Sequence, residues 1–427
     1  MSEWKKVKLG DYIDVLPGFA YKSKDFSDSG IPVIKIKNVS PPRITLDDLS
    51  YVPEAIAYQN PRYILKKGDV LIAMTGSHIN QIASVVGRVG RVQYDDITVL
   101  NQRVGKIVNK NESLSCLDFI YYYLSQYEVK VELAQKAGGA ANQANISPAD
   151  IKNLMIPCPP IEIQHLIAST LSRYDSLIEN YQKQIKLLEE AAQRLYKEWF
   201  VDLRFPGHEH TKIVNGVPEG WEKKKLIEFG CSLESGARPK GGVDSNLKDG
   251  IPSVGAENVI GLGKYNYSSE KLITNQFYSQ MKKGKIKDRD ILIYKDGAYI
   301  GRTSLFQDGF PHKEMAVNEH VFLLHTLNEN YQYYVFFTLY QKQYFEKMQK
   351  LNKNAAQPGL NQKALLDLGM LCPSESLVLT FRKVIESLMK DLFCKANQIR
   401  LLTEARNRLL PKLIYDSYFL IRTNPHV

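Results

Sequence analysis

Two short segments carry side chains whose types could do chemistry. His208-Glu-His210 offers two imidazoles and a carboxylate, the donor types of a zinc site, and Asp118 with Glu128-Val-Lys130 has the residue types of a nuclease metal site. Neither is a complete constellation. Two neighbouring histidines need further ligands, and these lie between loop signals where solvation is expected; the Asp118 set falls on a helical stretch with no proline before it. No Gly-x-x-x-x-Gly-Lys-Ser/Thr phosphate loop, Gly-x-Ser-x-Gly elbow or His-Glu-x-x-His zinc helix occurs, nor an Asn-Pro-Pro-aromatic segment of the adenine methyltransferase kind. Gly138-Gly-Ala-Ala141 and Gly261-Leu-Gly263 lack the strand-to-helix setting of a cofactor loop. The five cysteines (Cys116, Cys158, Cys231, Cys372, Cys394) are far apart, with no Cys-x-x-Cys pair, and read as reduced thiols in a cytoplasm. The expected chemistry is binding, with no catalytic residue, no metal and no cofactor held by this chain.

The elements that would present a binding surface are arranged as a repeat. Trp4-Lys-Lys-Val-Lys-Leu9 returns as Trp221-Glu-Lys-Lys-Lys-Leu226, and Gly30-Ile-Pro with Asn38-Val39 returns as Gly250-Ile-Pro with Asn258-Val259. In the same order, Gly68-Asp69-Val-Leu-Ile72 matches Arg289-Asp290-Ile-Leu-Ile293, and Val99-Leu-Asn101-Gln-Arg-Val104 matches Ala316-Val-Asn318-Glu-His-Val321. Cys158-Pro159 matches Cys372-Pro373, and Gln184-Ile-Lys-Leu-Leu-Glu-Glu190 matches Gln398-Ile-Arg-Leu-Leu-Thr-Glu404. Kept order at a near-constant offset is the mark of duplication.

Each repeat changes texture part-way. Its first part is rich in turn residues and short β-branched runs such as Pro32-Val-Ile-Lys-Ile36 and Val70-Leu-Ile-Ala-Met74, which predicts a mixed α/β globe. Helices are expected inside the globes at 117–135 and 330–349, with Phe119, Tyr122, Tyr123 and Tyr127, then Tyr333, Phe336, Phe337 and Tyr340, in the core. After Pro157-Cys-Pro-Pro160 the pattern becomes a long helix. Ile167, Leu171, Tyr174, Ile178, Tyr181, Ile185, Leu188, Ala192, Leu195 and Trp199 alternate by four and three, the seam of a coiled coil. The counterpart is Phe381, Ile385, Leu388, Leu392, Lys395, Ile399, Leu402, Arg406, Leu409 and Leu413, with two polar exceptions. Two helices of this kind can bury their seams on each other, and so narrow a seam argues against each lying on its own globe. The expected segments are 1–160 globe, 161–204 helix, 205–373 globe, 374–416 helix and 417–427 tail. At 427 residues, net charge +10 and pI near 9.0, with the charge spread along the chain, a polyanionic partner is suited. No apolar leader and no membrane-spanning run is expected, which predicts a cytoplasmic protein.

This order of parts resembles the specificity subunits of type I restriction-modification systems over nearly the whole chain. Asp296-Gly-Ala-Tyr-Ile-Gly-Arg302 resembles the family's Gly-Ala-Thr-Ile-Gly-Lys segment, and Asn101-Gln102 its Asn-Gln pair. Pro157-Cys-Pro-Pro-Ile161 with Gln164 resembles the entry to its conserved helix, and Leu195 to Pro206 its helix-to-domain junction. Thr75-Gly76-Ser77 and Asn318-Glu319 depart from the pattern. The resemblance implies an α+β fold in which two target-recognition domains alternate with two long helices paired as an antiparallel coiled coil. It also implies that each domain reads one half of a bipartite site in double-stranded DNA, while the helices set the spacing. Two methyltransferase subunits would dock on the helices. S-adenosylmethionine would be used by those partners, as would ATP and Mg by optional restriction and translocase subunits. The competing expectations are a non-catalytic coiled-coil adaptor that binds proteins, and an autonomous methyltransferase or nuclease, which lacks its motifs.

Reading base edges needs fork-shaped or bidentate side chains on loops. In the first domain the candidates are Tyr21, Lys22, Lys24, His78, Asn80, Gln81, Arg88, Arg91, Asn142 and Gln143; in the second, Arg238, Lys240, Lys295, Tyr299, Arg302, Lys353, Asn354 and Gln357.

Overall fold

The computed structural model describes residues 4–77, 84–138, 144–244, 246–352 and 359–416. It divides into two compact units, Met1–Ser176 with Glu404–Val427, and Leu177–Thr403. The fold is α+β.

In the first unit the run Val70–Ala73 shows no polar alternation because both of its faces are buried. Val70 and Ile72 pack with Phe119, Tyr122 and Tyr123 from a helix. Leu71 and Ala73 face the opposite way, against Ile34, Leu65 and Leu100. Its sheet runs in the order Ile13–Pro17, Val104–Asn109, Val70–Ala73, Val89–Arg91, Arg43–Ile44, Val39–Ser40. A second sheet runs Ser50–Val52, Ile31–Ile34, Thr98–Leu100, Ile64–Leu65.

The second unit repeats this plan. Cys231–Ser235, Val321–Thr326, Ile291–Tyr294 and Thr303–Leu305 form one sheet in the order of their counterparts, and Leu272–Ile273, Ile251–Val254 and Ala316–Val317 form the other. Both units also pair their opening strand with the one before the long helix: Lys6–Lys8 with Met155–Pro157, and Glu222–Lys225 with Gly369–Cys372. Duplication therefore holds at the level of strand order as well as residue pattern.

The expected internal helices are each broken in two, Leu117–Leu124 and Tyr127–Lys136, then Gln332–Leu339 and Lys342–Asn352. At the first break Gln126 takes extended angles and becomes the cap of the next helix, so the helical phase restarts. Tyr127 is consequently not in the core; it is 72% exposed. Phe119, Tyr122, Tyr123, Tyr333, Phe336 and Phe337 are buried as expected, each such ring contributing up to ~3 kcal/mol, and Tyr340 is half-buried.

The long helices span Ile161–Tyr196 and Glu375–Tyr415. Gln164 secures the start of the first: its Oε1 accepts from the Cys116 N–H at 2.9 Å and its Nε2 donates to the Pro159 carbonyl at 2.9 Å. Ile167, Leu171, Ile178, Ile185 and Ala192 are buried while Tyr174, Tyr181, Leu188 and Leu195 are half-buried. A π turn, Lys197–Val201, then follows, and Tyr196, Trp199 and Phe200 all become buried, so Tyr196 rather than Leu195 holds the deep position. On the second helix Phe381, Ile385 and Leu392 are buried, and Leu388, Ile399, Leu402 and Leu409 half-buried. Val378, Met389, Phe393 and Ala396 are buried as well, which makes the stripe wider than two positions in seven.

That width corrects the expectation that the helix avoids its own globe. Phe393 lies 5.6 Å from Phe310, and Phe381 meets Phe337 edge-on at 6.2 Å. The polar exceptions have partners: Lys395 pairs with Asp391 one turn back, and Arg406 with Asp175. Among the described residues, no helix is long and apolar enough to cross a membrane.

Candidate nucleic-acid interface

In the first unit the chain leaves strand Thr98–Leu100, turns through Asn101-Gln102-Arg103, and re-enters the sheet at Val104. The turn is closed by the Val104 N–H on the Asn101 carbonyl at 2.9 Å and anchored by the Asn101 N–H on Ile34 O at 3.1 Å. Other segments converge on it. The Gln102 N–H donates to Phe19 O at 2.9 Å, and Gly18 approaches so closely that a Cβ there would stand 2.2 Å from Asn101 O. The Met74 N–H donates to Arg103 O at 3.0 Å, and the Ile146 N–H to Met74 O at 2.9 Å.

Side chains bind this junction together. The Thr75 hydroxyl donates to Asn145 Oδ1 at 2.8 Å, and Arg103 Nη1 donates to both, at 3.3 Å and 3.4 Å. Thr75 is buried; Arg103 is exposed.

The second unit builds the same junction from different side chains. Asn318 N–H donates to Val254 O at 3.0 Å, Lys295 N–H to His320 O at 3.0 Å, and Leu360 N–H to Lys295 O at 2.8 Å. Gly236 takes the place of Gly18, and a Cβ on it would stand 1.6 Å from Val317 O. Where the first unit has Thr75 and Arg103, this one has Asp296 and His320, with His320 Nδ1 3.2 Å from Asp296 Oδ2. Arg238 Nε pairs with Glu319 Oε1, and Lys295 Nζ donates to the Glu319 carbonyl at 3.2 Å.

Of the described candidates, Lys295 and Arg238 stand at the second junction, and Tyr21 and Arg88 lie beside the first. Tyr21 follows Phe19 and packs edge-on against it at 4.9 Å; burial pushes its phenol up to about 12. Lys22 and Lys24 are exposed on the turn that comes next, where the Lys22 N–H donates to Asp25 Oδ2 at 2.7 Å. Arg88 is half-buried, and its carbonyl accepts from Ala73, two residues from Thr75. Arg238 and Lys240 lie on the segment that Gly236 brings in, and both are exposed. Tyr299 is exposed at the tip of the hairpin after Ile291–Tyr294, with the Arg302 guanidinium 4.0 Å over its ring.

Arg91, expected as a base reader, instead packs inside its domain. Its guanidinium pairs with Asp118 at 2.8 Å, lies 4.3 Å over the Tyr121 ring, and is 18% exposed. An internally stacked and paired arginine has no edge to offer a base. His78, Asn80, Gln81, Asn142, Gln143, Lys353, Asn354 and Gln357 lie outside the described residues. Arg103 and His320 are not among the candidates read from the sequence, and Glu319 figures there only as a departure from the Asn-Gln pair, although all three directly follow Asn101-Gln102 and Asn318 at equivalent places in the repeat. His208 Nδ1 lies 2.9 Å from the Phe205 carbonyl, and among the described residues no group of three or more histidines, cysteines or carboxylates could hold a metal ion.

The family model for the type I restriction modification DNA specificity domain matches residues 1–190 and 218–376, covering both junctions. The chain belongs to this family. Among specificity subunits it is 26% identical over 321 residues to that of the MjaIX type I restriction enzyme of Methanocaldococcus jannaschii, covering 74% of this chain and 72% of that one. It is 29% identical over 198 residues to the MjaVIII specificity subunit of the same organism, which spans 45% of this chain and 44% of that relative. The crystal structure of the type I restriction-modification S subunit from M. genitalium has the same fold, with a TM-score of 0.59, 18% identity, and 97% of this chain and 96% of that one covered.

Proposed function

We infer that this specificity-family chain is the DNA-reading subunit of a type I restriction-modification complex and performs no chemistry itself. Residues 1–160 and 205–373 each read one half of a bipartite site. The helices, 161–204 and 374–416, pair as an antiparallel coiled coil, hold the half-sites apart and dock two methyltransferase subunits. Those partners use S-adenosylmethionine to methylate the DNA. Restriction subunits, where present, use ATP and Mg.

The observation that carries the reading is the repeated junction. Segments from different parts of each globe meet at one turn, with exposed Arg103 at the first and exposed Arg238 and half-buried Lys295 at the second, residue types that contact guanine edges and phosphates. The coiled-coil pairing draws support from the alternation of buried and half-buried seam positions, from the Arg406–Asp175 pair, and from Phe381 lying 4.9 Å from Phe200. No observation favours the protein-binding adaptor.

Replacing residues 1–155 with the equivalent segment of a relative tests this. Mapping of methylated sites in cells carrying the partner subunits should show one half of the recognised sequence changed and the other kept. Alteration of both halves, or of neither, would refute independent reading.

A further inference from the structure

We propose that Arg103 in the first repeat and Arg238 in the second are the specificity-determining residues that each read one guanine, held ready by a clamp on one edge of the guanidinium. The inference rests on the DNA-reading function above. A guanidinium carries five N–H donors in a rigid plane, and two adjacent ones match guanine O6 and N7 in the major groove. A free arginine must lose considerable rotamer freedom to make that contact; one already oriented by the protein loses less.

Both arginines are oriented. Arg103 Nη1 is engaged by Thr75 Oγ1 and Asn145 Oδ1, and Thr75 is itself fixed by its bond to Asn145 and by the Thr75–Asn145 strand pairing. That leaves Nε and Nη2 uncommitted in these contacts. Arg238 uses Nε on Glu319, leaving the Nη1 and Nη2 pair. Each side chain is exposed, and each stands at its unit's junction although they come from different segments of the repeat. The first guanidinium arises from the turn itself. The second arises from the segment jammed against the turn by Gly236, and the turn supplies its carboxylate. Arg91 is the useful contrast: similarly basic, but stacked on Tyr121 and paired with Asp118 inside the domain.

The test uses the full-length chain co-expressed with its methyltransferase subunit, with methylated sites mapped genome-wide for wild type, Arg103→Ala, Arg103→Lys, Arg238→Ala and Arg238→Lys. Each Arg103 variant should relax a single guanine position in the half-site changed by replacing residues 1–155, by about 5- to 150-fold in relative methylation. Each Arg238 variant should relax one guanine in the other half. Lysine keeps the charge but loses the fork, so discrimination at that one position should fall in the Lys variants as well; these decide the matter should an Ala variant fold poorly. An unchanged motif overturns the inference, as does relaxation at a base other than guanine. Weaker methylation of all sequences alike also overturns it, since that is the signature of a phosphate contact. A wild type that yields no bipartite motif refutes the DNA-reading function as well, whereas an intact wild-type motif untouched by the variants refutes only the assignment of these arginines.

Discussion

Replacing Asp175 tests how the first globe is tied to its helix. This carboxylate, on the first long helix, accepts the Tyr122 hydroxyl at 2.7 Å through Oδ2 and pairs with Arg406 through Oδ1. The Asp175 and Arg406 side chains are 17% and 19% exposed. Burial, and then the Asp175 charge, hold the Tyr122 phenol far above its ordinary value, so it remains a donor throughout the working pH range. In Asp175→Ala the buried hydroxyl loses its acceptor, at ~1–3 kcal/mol. Arg406 loses its carboxylate, at ~1–2 kcal/mol, between the values of surface and fully buried pairs, because Arg406 keeps a bond to Asn407 Oδ1 at 3.0 Å. The sum, ~3 kcal/mol, should lower the melting temperature of a unit this large by ~6–12 °C.

Arg406 occupies a seam position where an apolar residue is ordinary, so Arg406→Met with Asp175→Leu should recover the ion-pair share of the loss and keep the ~1–3 kcal/mol cost of the Tyr122 hydroxyl without its acceptor. Calorimetry of the full-length chain, with Asp175→Ala, Arg406→Met and their combination, would give a coupling energy of ~1 kcal/mol or more. Coupling below ~0.3 kcal/mol, or a cost of Asp175→Ala below ~0.5 kcal/mol, would refute the account of this joint.

The proposed role of the helices as a spacer predicts that four residues inserted between Ile178 and Ile185 lengthen the rod by ~6 Å with only a modest change of phase. The two half-sequences should be kept and the gap between them should grow by about one to two base pairs, at ~3.4 Å per pair, as read from methylated sites; an active variant with an unchanged gap would remove the spacing role. The Asp14 carboxyl is held below its ordinary value by the Val15 N–H and then by Lys152 Nζ at 3.1 Å. Its contribution to stability is therefore complete above pH ~4 and is lost as the pH falls further. The acid limb of a denaturation series should be shallower in Asp14→Asn than in wild type.

Much of this molecule is local in origin and was legible along the chain. The duplication, the order of globes and helices, and the seam from Ile167 to Ala192 are spacing patterns, and spacing is what a linear sequence records. Helix interruption was less legible. Nothing in the aromatic periodicity around Tyr122 and Tyr127 announces that Gln126 leaves the helix, and that one residue turns Tyr127 outward. On the second helix, Met389 and Phe393 widen the buried stripe because the globe covers a face that a seam alone would leave wet.

The candidate interface was the least legible part, because it is assembled from distant segments. Gly18, Thr75, Arg103 and Asn145 meet only after the sheets have formed, and no spacing rule links them. Arg91 and Arg103 are chemically identical in the sequence. Tertiary structure separates them: one guanidinium is spent on Tyr121 and Asp118 inside the domain, and the other is held at the surface by Thr75 and Asn145. Residue type is set by the chain, but whether a charged edge is consumed internally or left for a ligand depends on which neighbours the fold brings within hydrogen-bonding distance.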